Sequence, residues 1–295
     1  MEKICKVPQE FMDMSVIKYP PHQKSKNIEA KVYEEIINNF SKLNSQLIYL
    51  PIQWTNYFVK NQYGKNISDL QKYVDSLPSN NKYFSVVQYA GGPLIDRGNV
   101  VFFGAGGFFN TKLYEDSSYI DIPLISDMHN VGKVKKSKKY LASYQGRRTH
   151  AIRDEIVEIF SKKKNFYVRN LETMDIRFID SFRFKKIMRD SLFSLCPRGY
   201  GPTSFRLYES IQLGSIPVYI AEDDEHILPY PELIDWEKLC VIEKKQNIEN
   251  LEARLLSIFE KNEHLEKLKY GEYCLKNFFN HEFIGNKIIK TVNQY

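Results

Sequence analysis

The segment from residue 191 to residue 224 constrains the fold more than any other part of this chain of 295 residues. It opens with an apolar run of strand length, residues 191–196, and it closes with a β-branched run, residues 216–220. Between the two runs lie a glycine-rich loop and a stretch with helical spacing of its apolar residues. This order predicts a β–loop–α–β unit in which the loop leads into a helix N-terminus.

The residues around that loop predict an anion site. Thr203 or Ser204 is expected to cap the helix, whose N-terminus would present unpaired N–H groups and a partial positive charge to phosphate. Arg198 before the helix and Arg206 in its first turn add cations that can grip phosphate oxygens. Glu209, one turn after Arg206, can accept hydrogen bonds from sugar hydroxyls. Together these residues predict a pocket for a nucleotide diphosphate.

The same segment resembles the signature of the exostosin family of glycosyltransferases. The resemblance rests on CPRG, on a following GPTS-x-R-x-x-E helix and on a G-x-IPV strand, here residues 196–199, 201–204, Arg206, Glu209, Gly214 and 216–218. Weaker similarity covers residues 121–123, 141–148 and 228–236. The resemblance implies an inverting, two-domain enzyme with a nucleotide-sugar donor, a UDP-sugar. The donor-binding residues it implies are Arg198, Gly199, Thr203, Ser204, Arg206 and Glu209. Arg147 or Arg148, at the end of the first strand predicted in the second lobe, is a further candidate for phosphate binding, with Arg147 preferred.

Strands and helices alternate along the chain, with glycines at the carboxyl ends of strands, which indicates parallel α/β sheets. Together with the two-domain architecture that the resemblance implies, this predicts an α/β fold of GT-B architecture, with two Rossmann-like lobes whose parallel sheets face a cleft. The expected domains are an N-terminal acceptor-binding lobe (1–135), a C-terminal nucleotide-sugar-binding lobe (136–280) and a terminal helix (281–295). The resemblance implies that this helix packs back on the first lobe. A basic run at residues 133–139 is the predicted connection between the two lobes.

Composition limits the classes of partner. Hydrophobic residues make up 43% of the chain, enough for a sizeable core. The formal net charge of +6 favours anionic ligands, but no nucleic-acid motif accompanies the basic runs, so no nucleic-acid partner is expected. The four cysteines are widely spaced, which favours reduced thiols over a zinc site or a disulfide framework.

The sequence contains neither an apolar leader nor a stretch of about 18 apolar residues, so we expect a soluble, cytoplasmic protein without a membrane span. Animal and plant members of the exostosin family usually carry an N-terminal membrane anchor. The alternative is therefore that such an anchor precedes the sequence considered.

The proton acceptor for transfer should follow a strand of the first lobe. Asp127, His129 and Asp96 come after predicted strands and are the candidate catalytic residues, with Asp127 first. Each is also typical of a loop or turn. Many family members carry a His-Asp pair where this chain reads Gln88-Tyr89. Trp54 and Tyr89 can stack on an acceptor sugar, although core packing also explains Trp54.

No metal or other cofactor is expected, because arginines can neutralise the departing diphosphate. The competing interpretation is an acidic metal site at residues 222–226, which follow a predicted strand.

The predicted function is transfer of a sugar from a UDP-sugar to a hydroxyl of an oligosaccharide or glycoprotein glycan. Two alternatives remain open on the same scaffold. One is a catalytically inactive nucleotide- or glycan-binding module, and the other is a sugar or nucleotide phosphorylase or epimerase.

Overall fold

The computed structural model describes residues 3–15, 26–95, 99–108, 119–130, 137–172, 178–222 and 228–295, with the side chains of 178–180 left out. The chain divides into two compact units. The first unit comprises Met1–Ile125 and Phe279–Tyr295, and the second unit comprises Ser126–Phe278. Each unit is an α/β structure around a parallel sheet, which confirms the predicted fold class.

The sheet of the first unit has four parallel strands among the described residues, and spatial neighbours are consecutive in the chain. Every residue of the two central strands is buried, as expected when both faces of a parallel sheet are covered. The strands are β1 (Ile48–Tyr49), β2 (Tyr83–Val87), β3 (Val100–Ala105) and β4 (Tyr119–Ile122).

The helices described in the first unit are α1 (Ile28–Asn38), α2 (Trp54–Lys60), α3 (Ser68–Ser76) and α10 (His281–Val292). The last of them, α10, lies against α1 although the two are far apart in the chain. Gly285 permits this close approach, because a Cβ at that position would lie 2.5 Å from the Cβ of Glu35. The Ser45 hydroxyl also donates to the Val292 carbonyl at 2.6 Å. The C-terminal residues are therefore an integral part of the first unit.

The second unit contains five parallel strands among the described residues, in the order β6-β5-β7-β8-β9. The strands are β5 (Tyr140–Arg147), β6 (Phe166–Leu171), β7 (Ser191–Pro197), β8 (Ile216–Ala221) and β9 (Val241–Lys244). After β5 the chain forms β6 at one edge of the sheet, and it then forms β7 on the opposite side of β5. The order of strands therefore reverses between β5 and β7, and such switch points are where open α/β sheets bind ligands.

The described helices of the second unit are α4 (Ile152–Phe160), α5 (Phe178–Arg189), α6 (Arg206–Gln212), α7 (Trp236–Leu239), α8 (Leu251–Glu260) and α9 (Glu263–Asn277). Apolar side chains of β5, β7 and β8 pack with α4 and α8 in one buried cluster. All seven residues of α6 are buried. No helix in the described ranges is long and apolar enough to cross a lipid bilayer.

The second unit starts at Ser126, ten residues before the start that we predicted for the second lobe. Hydrogen bonds to Gln212 on α6 explain this boundary. The Gln212 amide donates to the Ser126 carbonyl at 3.4 Å, and the backbone N–H of His129 donates to Gln212 Oε1 at 3.2 Å. Asp127 and His129, which we predicted as residues of the first lobe, thus belong to the second unit.

Candidate functional site

The candidate site lies at the carboxyl ends of β5, β7 and β8, next to the switch point of the second unit. Arg147 is the last residue of β5, Arg198 follows β7, and Glu222 follows β8. Because these strands are parallel neighbours, their ends meet at one edge of the sheet. The structure therefore brings together charged residues that are far apart in the sequence.

Glu222 bridges two basic side chains at this edge. Its Oε2 accepts a hydrogen bond from Arg198 Nη1 at 2.9 Å, and its Oε1 lies 3.4 Å from His150 Nδ1. The three side chains remain partly exposed, at 20% for Arg198, 18% for Glu222 and 31% for His150. We did not predict the contribution of His150, because it depends on the close approach of two loops 72 positions apart in the chain.

Four buried polar atoms at or after the ends of β5 and β7 have no hydrogen-bond partner among the described residues. They are Arg147 Nε, Thr149 Oγ1, Arg198 Nε and Ser204 Oγ. Buried polar groups in folded proteins are nearly always hydrogen-bonded, so a group of exceptions needs a reason. All four atoms can donate a hydrogen bond, which makes this edge suited to a ligand rich in acceptor oxygens.

Arg153 joins the two loops of the site. It is buried near the start of α4, where its Nε donates to the Arg198 carbonyl at 2.7 Å and its Nη1 donates to the Arg147 carbonyl at 3.0 Å. A Cβ at Gly199 would lie 3.1 Å from Arg153 Nη2, so the glycine leaves room for this contact. Local sequence patterns do not single out Arg153, since its helical position resembles that of a solvated basic residue.

Arg206 lies deeper in the unit than we expected for a phosphate ligand. Only 8% of the residue is exposed, and its guanidinium carbon is 4.9 Å from the ring centroids of both Tyr144 and Phe184. It also donates a hydrogen bond to the carbonyl of Gln145 on β5. This cation–π arrangement connects α6 to β5 and α5. Its contact with a phosphate stays a prediction.

Glu209, the predicted sugar-binding carboxylate, pairs with His129. Glu209 Oε1 lies 3.1 Å from His129 Nε2, and the side chains are only 2% and 4% exposed. The His129 ring also lies 6.3 Å from that of Phe184, the same ring that faces Arg206. The structure therefore brings His129, Glu209 and Arg206 into one cluster.

Asp127 and Asp96 are the other two candidate catalytic residues, and only Asp127 is among the described residues. Asp127 is partly buried in the segment that leads to His129. Asp96 lies outside the described residues. Neither observation tests a catalytic role, which stays a prediction for both.

The predicted cap of the helix after the loop is wrong. Helix α6 begins at Arg206, later than expected, and Phe205 at its N-cap makes no side-chain cap hydrogen bond. The first turn is closed by the backbone instead, with Leu207 N donating to the Ser204 carbonyl at 3.0 Å. Ser204 therefore lies too early to reach the N–H groups that a capping hydroxyl serves. Thr203, one residue before it, is buried and also precedes the N-cap.

A buried carboxylate that we did not predict lies in the first unit. Glu29, in the first turn of α1, accepts hydrogen bonds from the backbone N–H of Gln88 at 2.8 Å and from the Thr55 hydroxyl at 2.8 Å. The Gln88 side chain in turn accepts from Ile28 N at 2.9 Å. Burial raises the pKa of Glu29 to about 7, and these hydrogen bonds only partly oppose it. The carboxylate of Glu29 thus lies next to the Gln88-Tyr89 pair.

Metal binding was the competing interpretation for residues 222–226. Among the described residues, no group of three or more His, Cys, Asp or Glu side chains is arranged to hold a metal ion. Glu222 is described and pairs with Arg198, whereas 223–226 lie outside the described residues.

Comparison with known proteins identifies a shared domain. Residues 45–258 match the Exostosin GT47 domain. This match spans most of both units and includes all of the residues at the carboxyl edge of the second sheet.

Three relatives illustrate the similarity. The exostosin-1 homolog of Caenorhabditis elegans is 24% identical over 275 residues, covering 78% of this chain and 72% of the relative. A probable glucuronosyltransferase of Oryza sativa subsp. japonica is 30% identical over 118 residues, or 38% of this chain and 25% of the relative. The probable beta-1,4-xylosyltransferase IRX10 of Arabidopsis thaliana is 39% identical over 71 residues, or 24% of this chain and 17% of the relative. The chain thus spans a quarter or less of these two plant relatives.

Solved structures show more distant similarity. The crystal structure of TarM has a TM-score of 0.48 and 12% identity, covering 92% of this chain and 59% of that one. The pneumococcal O-GlcNAc transferase GtfA in complex with UDP and GlcNAc has a TM-score of 0.44 and 12% identity, covering 90% of this chain and 60% of that one.

Proposed function

Because the chain belongs to the exostosin GT47 family of glycosyltransferases, we propose that it transfers a sugar from a UDP-sugar to a hydroxyl of a glycan, with inversion at the anomeric carbon. The observation that carries the proposal is the set of unpartnered donors at the carboxyl edge of β5 and β7 in the second unit. Such an edge, at a switch point of a parallel sheet, suits a nucleotide.

The diphosphate is the part of the donor that this edge would recognise. Cleavage of the sugar–phosphate bond leaves negative charge on the departing diphosphate, and fixed cations that meet this charge lower the barrier. Arg147 and Arg198 each offer an unpartnered Nε, and the loops that follow β5 and β7 add the unpartnered hydroxyls of Thr149 and Ser204. Arginine suits this task because its planar donor set can bind two phosphate oxygens at once. No metal enters this proposal.

The nucleoside would bind further along α6. Glu209 is the proposed acceptor of hydrogen bonds from the ribose hydroxyls, and its contact with His129 supports a fixed position for the carboxylate. Arg206, Gly199 and Thr203 complete the proposed set of donor-binding residues. The choice of uracil as the base rests on family resemblance.

The acceptor hydroxyl must lose its proton as it attacks the anomeric carbon. Asp127 remains our first candidate for the base and Asp96 the second. His129 is the least suited of the three, because its Nε2 is engaged with Glu209 and its side chain is almost wholly buried.

A thermal-shift and calorimetric comparison of nucleotides tests the donor assignment. A ligand that binds only the folded state raises the melting temperature, so UDP and UDP-sugars should do so while GDP and CMP do not. Arg198→Gln should remove the shift. Equal shifts from all nucleotides would reject the choice of UDP, and no shift from any would reject the donor site. Formation of glycoside separates a transferase from an inactive binding module, which would bind the donor and yield no product.

A further inference from the structure

Glu222 is a carboxylate that contacts two basic side chains at the carboxyl edge of the second sheet. Each of its two oxygens has a different partner, Oε2 with Arg198 Nη1 at 2.9 Å and Oε1 with His150 Nδ1 at 3.4 Å. All three side chains are partly exposed rather than sealed in the core. The carboxylate is therefore held by groups that a ligand can reach.

The geometry of this contact is the one that a phosphate would use. Arginine binds carboxylate and phosphate oxygens through the same N–H groups, and the phosphate contact is favoured by its greater charge. Arg198 also has a second donor, its Nε, without a partner among the described residues. A single carboxylate thus occupies only part of the hydrogen-bonding capacity of Arg198.

Lys245 is a further basic residue near the same carboxylate. The pKa of Lys245 is raised, mainly by its hydrogen bond to Glu155 and to a smaller extent by the charge of Glu222. Arg147, with its unpartnered Nε, ends the neighbouring strand β5. Glu222 therefore lies among several basic side chains, of which Arg198 and His150 are its direct partners.

We propose that Glu222 is an internal anion that occupies Arg198 in the ligand-free protein and is displaced when a diphosphate binds. The inference rests on the proposed function, since it assigns the diphosphate to Arg198. It makes Glu222 a specificity-determining residue. Ligands without phosphate cannot compensate for the lost ion pair, so an uncharged nucleoside gains nothing from this edge of the site.

The alternative is that Glu222 orients Arg198 and keeps its place beside the bound ligand. The two possibilities predict opposite effects of Glu222→Gln. A displaced anion competes with the ligand, so its neutralisation should strengthen diphosphate binding. A positioning carboxylate supports the ligand, so its neutralisation should weaken binding.

The test is isothermal titration calorimetry of the whole chain with three probes: UDP, inorganic pyrophosphate and uridine. Glu222→Gln should lower the Kd for UDP and for pyrophosphate by about two- to fivefold, as expected for loss of one partly exposed competing ion pair. The Kd for uridine should not change. Glu222→Ala should act in the same direction, which separates charge removal from any new contact of the amide. As a control, Glu266→Gln breaks the 2.8 Å pair between Lys238 of α7 and Glu266 of α9 and should change none of the three values.

An unchanged or higher Kd for UDP and pyrophosphate in both Glu222 variants would overturn the inference while the donor site stands. Tighter pyrophosphate binding with no UDP binding would support the inference and reject the nucleotide. If neither wild type nor the variants bind either phosphate probe, both the inference and the proposed function fail.

Discussion

The imidazole Nε2 of His129 lies 3.1 Å from Oε1 of Glu209, and both side chains are almost wholly buried. Glu209 is on α6, whereas His129 is at the start of the second unit, so the contact joins segments 80 residues apart. A carboxylate held in this way has lost much of its rotamer freedom before a ligand arrives, and preorganisation of this kind strengthens binding. We therefore interpret His129 as a positioning residue for Glu209.

This interpretation predicts a loss of ribose recognition when His129 is removed. Wild type should bind UDP about tenfold more tightly than a UDP analogue without ribose hydroxyls, as expected for hydrogen bonds to a charged group. Both His129→Ala and Glu209→Gln should abolish this preference. The variant His129→Asn should retain part of the preference, because the amide of asparagine can donate a hydrogen bond to Glu209. Calorimetric titration measures each Kd. A full preference in His129→Ala would contradict the positioning role.

Neighbouring arginines at the end of β5 provide a second prediction. Arg147 has an unpartnered, buried Nε, whereas the Nε of the exposed Arg148 forms an ion pair with Asp154 at 3.0 Å. Arg147→Gln should therefore weaken UDP binding by about tenfold, the effect of losing one charge-assisted hydrogen bond. Arg148→Gln is the matched control and should leave the Kd within about twofold of wild type. Equal effects of the two substitutions would indicate general electrostatic attraction instead of a specific contact.

The buried carboxylate of Glu29 predicts how stability depends on pH. Its pKa is about 7 in the folded protein against an ordinary value of 4.5, so the folded state holds the proton at pH values where the unfolded state has released it. The stability from this proton is fully present below about pH 4.5 and is lost as the pH rises through about 7. The total is on the order of 3 kcal/mol.

Glu29→Gln tests this dependence, because the amide cannot ionise. The melting temperature of wild type should fall relative to that of the variant between about pH 5 and about pH 8. Differential scanning calorimetry at several pH values gives the comparison. A constant difference between the two proteins over this range would show that Glu29 does not titrate there.

Close packing of α10 on α1 gives a prediction about the first unit. An added methyl at Gly285 would meet the Cβ of Glu35 at 2.5 Å, so Gly285→Ala should lower the free energy of unfolding by about 1–3 kcal/mol. At Gly271 of α9 the nearest atom, Ile211 Cγ2, is 3.3 Å away, and the same substitution should cost less. Urea unfolding of both variants provides the measurement. Equal stabilities would contradict the packing described between α1 and α10.

Local patterns in the sequence predicted the strands that frame the site. Residues 191–196 and 216–220 are short apolar runs bounded by proline and glycine, and they form most of β7 and β8. Parallel pairing follows from the helices between strands. The sequence also predicted that the carboxyl ends would carry Arg147 and Arg198, because each lies within three residues of the end of its predicted strand.

Contacts between distant segments could not be predicted in this way. Glu29 meets Gln88 N across 59 positions, and Arg153 meets the Arg198 carbonyl across 45. Neither pairing leaves a signal in local spacing, since both residues occupy ordinary positions in the first turns of helices. Trp54 was considered as a sugar-stacking residue at a strand end. It instead begins α2, where it is fully buried and donates to the Ser85 hydroxyl at 2.8 Å.

Parallel quantification of UDP release and glycoside formation tests the central claim most directly. Wild type, Arg198→Gln and the Arg148→Gln control would be incubated with UDP-sugar donors and oligosaccharide acceptors, and both products would be measured by mass spectrometry. We predict equal amounts of UDP and glycoside from wild type and from the control, and neither product above background from Arg198→Gln. Glycoside formation that is unaffected by Arg198→Gln, or donor binding without any glycoside, would contradict the account.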